Sequence, residues 1–386
     1  MTRFRIATDL TLAGRDRVRN EGGVNPPVQR VSTLILDRVD DLYDDSVKTY
    51  GLDGMAVHEA LADGLMALEG GAGVTFAPSG LAACTLPFLA LTQPGAHVLV
   101  PDSVYGPTRR FCDGMLARLG VETTYYDPRI GADIAALIRP TTRLIWMESP
   151  GSLTIEVQDV PAIAAAAHAA GIPCAIDNTW SAGLYFKPLA HGVDLSIQAL
   201  TKYQAGHADV LLGAIIARDP AMHATMRRAN KELGLGSGAP DDVYLCLRGL
   251  RSMPVRLAAQ SASALTIAAW LRERPEVAQV LHPALPGAPD HDLWTRDFTG
   301  AASLFSIVLH PVSDGALKRM LEGMRVFSMG FSWGGYESLI VPCDPQLKRT
   351  ATRWRGAGPL VRLSIGLEDP ADLIADLEAG LARLAD

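Results

Sequence analysis

Residues 73–101 read "GVTFAPSGLAACTLPFLALTQPGAHVLVP", and this stretch decides the fold. An apolar run, "GVTFAP", precedes the helical pattern "SGLAACTLPFLALT", and the apolar run "HVLVP" follows it. Short apolar strands separated by one helix predict a β-α-β unit in a parallel sheet. The alternative is a membrane span, because no Asp, Glu, Lys or Arg occurs from Gly70 to Pro101. Glycines and prolines cut the stretch into short pieces, which favours a buried α/β interior.

The same alternation continues along the chain. The segments "VETTYY" (121–126), "RLIWME" (143–148) and "IPCAID" (172–177) are predicted strands. Predicted helices are "GPTRRFCDGMLARLG" (106–120) and "DVPAIAAAAHAAG" (159–171), the latter with Asp159 as its N-cap. Strands that are apolar throughout and alternate with helices predict a mostly parallel sheet covered on both faces.

The length of 386 residues exceeds what one hydrophobic core usually serves. We predict an N-terminal arm over 1–54 that contacts a neighbouring subunit, because this segment is polar and irregular. A large α/β domain over 55–248 and a smaller α+β domain over 249–386 follow. In the smaller domain, "LFSIVLH" (304–310) and "LVRLSIGL" (360–367) are predicted strands, and "PADLIADLEAGLARL" (370–384) is a predicted amphipathic helix.

Composition narrows the class of protein. The chain is 48% hydrophobic and 20% charged, and its net charge of −7 argues against nucleic-acid binding. Five cysteines without a CxxC pair predict a reduced, cytoplasmic protein, and the N-terminus shows no apolar signal segment. No metal site is predicted, because His207 and Asp209 are only two ligand-type side chains.

Three features fall at the predicted carboxyl ends of strands, where open α/β sheets bind ligands. Asp177 ends "IPCAID", Lys202 ends "DLSIQALTK", and "PSG" at 78–80 opens a helix. Alone, each has an ordinary explanation: a helix cap, a lysine reaching solvent, and a turn. Together they suggest pyridoxal phosphate (PLP), which needs a lysine, an acid for its ring nitrogen and an anion site. No GxGxxG follows a strand, so a nicotinamide site has little support.

Longer motifs make the resemblance specific. "SIQALTKYQAGHAD", "IDNTW" and "ESPGSLTIEVQDV" resemble the Cys/Met-metabolism family of PLP-dependent enzymes, which have the aspartate-aminotransferase-like fold called fold type I. "LHPALPG", "RDFTGAASLFS", "FSWGGYESL" and "VRLSIGLEDPADLIADL" are similar to the cystathionine β-lyase branch of that family. The resemblance extends from about residue 20 to the C-terminus, and it implies a fold type I transferase architecture.

The resemblance implies a role for several residues. Lys202 resembles the lysine that forms a Schiff base with PLP and carries protons, and Asp177 resembles the acid paired with the ring nitrogen. Tyr105 resembles the tyrosine stacked on the ring. Arg362 resembles the arginine that binds the substrate α-carboxylate, although its position alone, on the polar face of "LVRLSI", favours a solvated side chain.

Other residues resemble those around the phosphate and the substrate. Gly80, Leu81 and Thr201 match groups that bind the PLP phosphate. Tyr50 resembles a catalytic tyrosine donated across a subunit interface, which implies at least a homodimer, and the family suggests a homotetramer built as a dimer of dimers. Ser332 and Trp333 match the substrate end of the site.

The implied reaction is β-elimination of L-cystathionine to homocysteine, pyruvate and ammonia. Ser152 and Trp333 favour this reaction, because the γ branches usually carry "ETPTNP" and "SLGG" where this chain has "ESPGSL" and "SWGG". The alternatives are a cysteine desulfhydrase, a cystathionine γ-lyase or γ-synthase, a sulfhydrylase, or a non-catalytic binding protein of the same fold.

Two positions depart from the family pattern. Leu52 stands where a phosphate-binding arginine is usual, and Ala199 stands where a serine is usual. Compensation by Lys48 or Arg30, weaker PLP binding, or a different activity would each account for these changes.

Overall fold

The computed structural model describes residues 4–44 and 46–385. Its helices are α1 (Ile6–Leu12), α2 (Ala56–Glu69), α3 (Gly80–Leu91), α4 (Gly106–Phe111), α5 (Val160–Ala169), α6 (Pro220–Glu232), α7 (Pro240–Arg272), α8 (His291–Asp297), α9 (Asp314–Glu322) and α10 (Pro370–Ala382). Its strands are β1 (Gly73–Ala77), β2 (His97–Pro101), β3 (Glu122–Tyr126), β4 (Thr142–Glu148), β5 (Cys174–Asp177), β6 (Leu195–Ala199), β7 (Gly213–Ala217), β8 (Val277–Leu281), β9 (Leu304–Leu309), β10 (Leu339–Pro342) and β11 (Leu360–Ser364).

The larger sheet has the strand order β1-β7-β6-β5-β4-β2-β3. Neighbours from β6 to β3 pair in parallel, whereas β7 runs antiparallel to both β1 and β6. The prediction of a mostly parallel sheet is therefore confirmed. The predicted helix over 106–120 also forms, with a π-helical turn over Cys112–Leu116 inside it.

Both faces of this sheet are buried, as the apolar strands predicted. Along β4, Leu144 and Trp146 pack into one core cluster, and Ile145 and Met147 pack into the other. Successive side chains of a strand point to opposite faces, so one apolar run supplies both cores. Among the described residues, no helix is both long and apolar enough to cross a membrane.

The smaller sheet is antiparallel, with the order β10-β11-β9-β8. Val361, Leu363 and Ile365 point from the β11 segment into the core beneath α7, α9 and α10. The opposite face of β11 is also covered, because Leu360 packs with Leu153 of the large domain. Burial of this second face sets the surroundings of the arginine at position 362.

Asp102, directly after β2, joins the two parts of the chain. Its carboxylate accepts hydrogen bonds from the backbone amides of Thr350, Ala351 and Thr352 at 2.9, 3.1 and 2.7 Å. It also forms an ion pair with Arg109, and both side chains are almost fully buried. These bonds hold the segment that precedes β11 against the carboxyl end of β2 in the larger sheet.

The N-terminal arm is less irregular than the sequence predicted. Helix α1 forms, and Leu10 is buried in the same core cluster as Leu61 and Leu65 of α2. The other described residues of the arm form short 3₁₀ turns and no further α-helix or strand, and Tyr50 makes an isolated β-bridge to Thr33. Helix α7 runs unbroken across residue 248, the predicted boundary between the two domains. The division of the chain at residues 54 and 248 remains a prediction.

Candidate active site

A cavity of about 230 Å³ lies at the carboxyl ends of β4, β5 and β6. This is the end of the strands at which the sequence predicts the ligand-binding site. Eight of the ten residues predicted for the site line it: Gly80, Leu81, Tyr105, Asp177, Thr201, Lys202, Trp333 and Arg362. Ser332 accepts a hydrogen bond from Lys202, whereas Tyr50 does not line this cavity.

Lys202 lies in a turn three residues beyond the end of β6, and not in the strand itself. Its backbone N–H donates to the carbonyl of Ala199, which closes the turn. The amine donates to Ser332 Oγ at 2.6 Å, and it lies 5.2 Å from the centroid of the Trp333 ring. Burial, with a smaller contribution from the Arg362 charge, lowers the pKa of this amine to about 8. The amine is therefore suited to lose and regain a proton near neutral pH.

Asp177 ends β5 with its carboxyl buried in the cavity wall. Oδ1 accepts hydrogen bonds from the Thr179 hydroxyl at 2.6 Å and the Thr179 N–H at 3.0 Å. The Cys84 thiol faces Oδ2 at 3.5 Å. Burial raises the pKa of Asp177, and the Thr179 bonds oppose that rise. Such a carboxyl suits a cationic partner supplied by a ligand, because burying a lone carboxylate is costly.

The amino end of α3 forms another wall of the cavity. Ser79 caps the helix by accepting from the N–H of Ala82, and Gly80 and Leu81 follow it. A Cβ at Gly80 would lie 2.5 Å from Cβ of Ala199, so only glycine fits there. The Thr201 hydroxyl bonds to the backbone of Leu212. The first amides of a helix attract anions, so this wall suits a phosphate group.

Arg362 is only 9% exposed, so the solvated alternative for it is wrong. Its face of β11 is turned toward the large domain, and a guanidinium nitrogen donates to the carbonyl of Ser332 at 3.1 Å. Ser332 has a φ of 83°, which is unfavourable for a residue with a side chain. Its hydroxyl and carbonyl connect Lys202 with Arg362, so one strained residue positions both groups.

The chain matches one protein family from residue 7 to residue 382, described as Cys/Met metabolism PLP-dependent enzyme. The chain belongs to this family. Membership confirms the resemblance predicted from the sequence motifs, and these enzymes use pyridoxal phosphate.

Individual relatives of this Cys/Met metabolism enzyme cover almost the whole chain. A putative cystathionine β-lyase of Rhizobium johnstonii is 50% identical, over 98% of this chain and 96% of the relative. The cystathionine β-lyase MetC of Escherichia coli is 43% identical, over 98% of this chain and 99% of the relative. A crystal structure of cystathionine γ-synthase from Xanthomonas oryzae pv. oryzae, in complex with cystathionine, superposes with a TM-score of 0.92. It is 31% identical and covers 100% of this chain and 99% of that chain, so the fold type I architecture is confirmed.

The residues present in this Cys/Met metabolism enzyme fit pyridoxal phosphate. Lys202 offers an amine for the covalent bond. Within residues 4–44 and 46–385, the buried carboxyl of Asp177 accepts hydrogen bonds from Thr179 and Cys84 and from no arginine or lysine. Gly80 leaves the end of α3 open for a phosphate. These groups lie around one cavity, which is the arrangement that this cofactor requires.

The two departures from the family pattern lie in different places. Ala199 lines the cavity, whereas Leu52 is half exposed and does not line it. Both cations considered as replacements have carboxylate partners within this chain. Lys48 pairs with Glu59, and Arg30 pairs with Asp241. Tyr50 and Leu52 are the positions for which the resemblance implies contact with a second subunit, and that contact remains a prediction.

Three residues beside the cofactor groups had no predicted role in binding. Glu148 ends β4 opposite Asp177 in register, and its carboxylate accepts from the N–H of Tyr105 at 2.7 Å. Burial raises the pKa of Glu148 well above its ordinary value, and the charge of Asp177 adds to that rise. The rule that selected Asp177, a carboxyl at a strand end, would also have found Glu148. The contacts of Thr179 and Cys84 with Asp177 become apparent only in the folded structure.

A second buried carboxyl, that of Glu69, forms hydrogen bonds with the segments that carry the site residues. It accepts hydrogen bonds from Gln198, from Ser196 Oγ at 3.1 Å, and from Asn178, the neighbour of Asp177. Gln204, two residues after Lys202, donates to Gln198 at 2.9 Å. This network connects the two segments that carry Asp177 and Lys202. Burial raises the pKa of Glu69 to about 7.

We expect the substitution Glu69→Gln to make folding stability less dependent on pH. The pKa of Glu69 is about 7 in the folded state against 4.5 for the free group. A carboxyl with a raised folded pKa stabilises the protein below its unfolded pKa, and this contribution is lost as pH rises through 7. Glutamine stays neutral, so the variant should gain up to about 3 kcal/mol relative to the parent between pH 4.5 and pH 8.

Denaturant unfolding of parent and variant at several pH values measures this gain, since other titrating groups are common to both proteins. Glu378→Gln, an exposed change on α10, serves as the control and should show no such trend. A stability difference between Glu69→Gln and the parent that stays constant from pH 4.5 to 8 would contradict the prediction.

Proposed function

We propose that this protein is a PLP-dependent carbon–sulfur lyase that cleaves L-cystathionine by β-elimination. One water is consumed, and homocysteine, pyruvate and ammonia are released. The observation that carries the proposal is the convergence of Lys202, Asp177 and Arg362 on one cavity. The relatives named cystathionine β-lyase, 43% and 50% identical over almost the whole chain, support the same reaction.

The residues divide the work between binding and proton transfer. Arg362 binds the α-carboxylate of the substrate, and the planar guanidinium suits a carboxylate with two parallel hydrogen bonds. Bound pyridoxal phosphate supplies an electron-withdrawing ring that stabilises negative charge at Cα. Lys202 removes the Cα proton, and its pKa of about 8 lets it act as a base near neutral pH. It then delivers a proton to the leaving sulfur.

Asp177 would pair with the ring nitrogen of bound pyridoxal phosphate, and Thr179 holds its carboxyl in place. Tyr105 lines the cavity, and its backbone N–H donates to Glu148, which fixes the main chain at the start of α4 beside the ring site. Gly80, Leu81 and Thr201 provide the phosphate end of the site. Each of these assignments follows the family role implied by the sequence.

The choice of β- over γ-elimination rests on Trp333 and Ser152, both of which line the cavity. A cystathionine γ-synthase structure shares this fold with a TM-score of 0.92, so we assign the difference between the two reactions to side chains and not to the backbone. The test must also distinguish the competing functions. These are γ-elimination or γ-synthesis, a cysteine desulfhydrase, a sulfhydrylase, and a non-catalytic protein of this fold.

Incubation of the purified protein with L-cystathionine tests the proposal. We expect pyruvate and homocysteine in equal amounts, and a yellow protein in which borohydride fixes the cofactor to Lys202. Production of 2-oxobutyrate and cysteine would indicate γ-cleavage and overturn the proposal. A colourless protein that takes up no added PLP would indicate a binding role.

We further propose a cytoplasmic homotetramer, assembled as a dimer of dimers, that serves sulfur-amino-acid metabolism and methionine biosynthesis. The N-terminal arm supports a subunit contact, because Ile35, Val39 and Tyr43 are 94%, 74% and 88% exposed. Three large apolar side chains this exposed within nine residues favour contact with another surface. Light scattering of the holoenzyme measures the mass, and a monomer would contradict this assembly.

A further inference from the structure

The turn over residues 199–206, which carries Lys202, leaves two of its carbonyls without backbone partners. The N–H of Lys202 donates to the carbonyl of Ala199 at 3.1 Å, and the N–H of Gly206 donates to the carbonyl of Lys202 at 2.8 Å. The carbonyls of Tyr203 and Gln204, the two residues after the lysine, accept no backbone N–H from the described part of the chain. Buried carbonyls of this kind need a donor from elsewhere.

Arg256, on α7, supplies that donor. Its Nη2 donates to the carbonyl of Tyr203 at 2.8 Å and to the carbonyl of Gln204 at 3.4 Å. The same nitrogen donates to the carbonyl of Gly249 at 2.8 Å, and Nε donates to Ser252 Oγ at 3.2 Å. The guanidinium therefore joins the turn to the long helix α7.

The charge of Arg256 is buried without an acidic partner. The side chain is 9% exposed, and it forms no ion pair with residues 4–44 or 46–385. Burial lowers its pKa to about 10, so it stays charged at neutral pH and its burial costs free energy. Carbonyl oxygens at the end of a helical turn carry partial negative charge and offset this cost. A side chain that only filled space would need no charge, so the guanidinium indicates a task in holding the turn.

Two glycines allow α7 and the turn to approach this closely. A Cβ at Gly249 would lie 2.2 Å from the carbonyl oxygen of Ala205. A Cβ at Gly206 would lie 1.9 Å from Nη1 of Arg256, and the φ of Gly206 is 71°, which favours glycine. The turn is packed directly around the guanidinium, so a shift of one displaces the other.

We propose that Arg256 is a positioning residue that fixes the direction in which the Lys202 amine points. Arg256 does not line the active-site cavity, so it acts through the turn. The inference rests on the proposed function, in which one lysine both removes and delivers a proton. A displacement of about 1 Å can cost such a group roughly 100-fold in rate. The two carbonyls that Arg256 holds follow Lys202 directly in the chain, so little slack separates the contact from the amine.

Arg256→Met tests the inference by removing the donor while keeping a long side chain. In the holoenzyme, we expect kcat for L-cystathionine to fall roughly 10- to 100-fold, because the amine is displaced. KM should change by less than about 3-fold, since Arg362 still binds the carboxylate. Arg256→Lys should restore part of kcat, because its ammonium can still donate to these carbonyls.

A second measurement needs no turnover. When saturating pyridoxal phosphate is added to the full-length apoprotein, borohydride quenching at successive times gives the rate at which Lys202 bonds to the cofactor. We expect this rate to fall in Arg256→Met by a factor similar to that in kcat, because both depend on the direction of the same amine.

Arg251→Met is the matched control. Arg251 lies on the same helix and donates to the Ala13 carbonyl and to Asn25, so it supports the fold without contacting the turn. Its kcat and its bond-forming rate should stay within about 2-fold of the parent values, and thermal unfolding shows that each variant is folded. Equal kcat losses in Arg256→Met and Arg251→Met, or a bond-forming rate in Arg256→Met equal to that of the parent, would overturn the inference.

Ser252→Ala carries the test if Arg256→Met does not fold, because it removes the acceptor of the Nε bond. We then expect kcat to fall by about 2- to 5-fold, as suits the loss of one hydrogen bond, and an unchanged kcat would count against the inference. A parent enzyme that releases no pyruvate would overturn the proposed function, while the bond-forming rate at Lys202 would still decide the role of Arg256.

Discussion

Replacing Lys202 with alanine should lower kcat/KM for L-cystathionine by roughly 10³- to 10⁴-fold, the upper part of the range expected for loss of a positioned acid–base group. The amine is buried, points at Ser332 and has a pKa of about 8, so it is prepared to exchange a proton. Among the described residues that line the cavity at the strand ends, Lys202 is the one lysine. No described lysine can therefore replace it.

Lys202→Arg separates charge from proton transfer. Arginine keeps the positive charge but does not lose its proton in proteins, so this variant should be as inactive as Lys202→Ala. Lys318→Ala, an exposed change on α9, is the control and should retain parent activity. Pyruvate release measures all three variants, and peptide mass after borohydride treatment reports the covalent bond. More than about a tenth of parent activity in Lys202→Ala would contradict its role as the proton carrier.

Asp177→Asn should give the next largest loss, roughly 100- to 4,000-fold in kcat. Removing one partner of a buried charge pair costs about 3–5 kcal/mol, and each 1.4 kcal/mol is about tenfold in rate. The asparagine oxygen can still accept both bonds from Thr179, so the fold of the cavity wall should persist.

The variant should therefore bind pyridoxal phosphate while turning over slowly. Spectroscopic titration with the cofactor and pyruvate release measure the two properties separately. Asp241→Asn removes a surface carboxylate paired with Arg30, and it should leave both properties unchanged. Parent-like kcat in Asp177→Asn would show that the carboxylate does not support the reaction.

Strand ends and apolar runs could be predicted from the sequence because they depend on neighbouring residues. Asp177 and Lys202 were both located from the rule that ligands meet the carboxyl ends of parallel strands. Lys202 lies three residues beyond the strand end, since the bond from its N–H to Ala199 turns the chain there. The tight packing of Gly80 on Ala199 appears only when β6 is placed beside α3.

Contacts between distant segments could not be predicted from local patterns. The burial of Arg362 depends on Leu153 and its neighbours covering the second face of β11. The core position of Leu10 depends on α1 packing against α2. Likewise, the ion pairs of Lys348 with Asp113 and of Arg349 with Glu156 join residues far apart in the sequence.

The bonds made by Asp102 have a consequence for how this enzyme can evolve. Three of them go to backbone amides of residues 350–352, and a backbone amide is present at every residue except proline. The segment that precedes β11, which lines a cavity adjoining the active site, is anchored largely independently of its side chains. Substitutions at Gln346, Leu347 or Lys348 can change the lining of that cavity while the anchor stays in place. Side chains in this segment can therefore change without removing the three backbone bonds to Asp102.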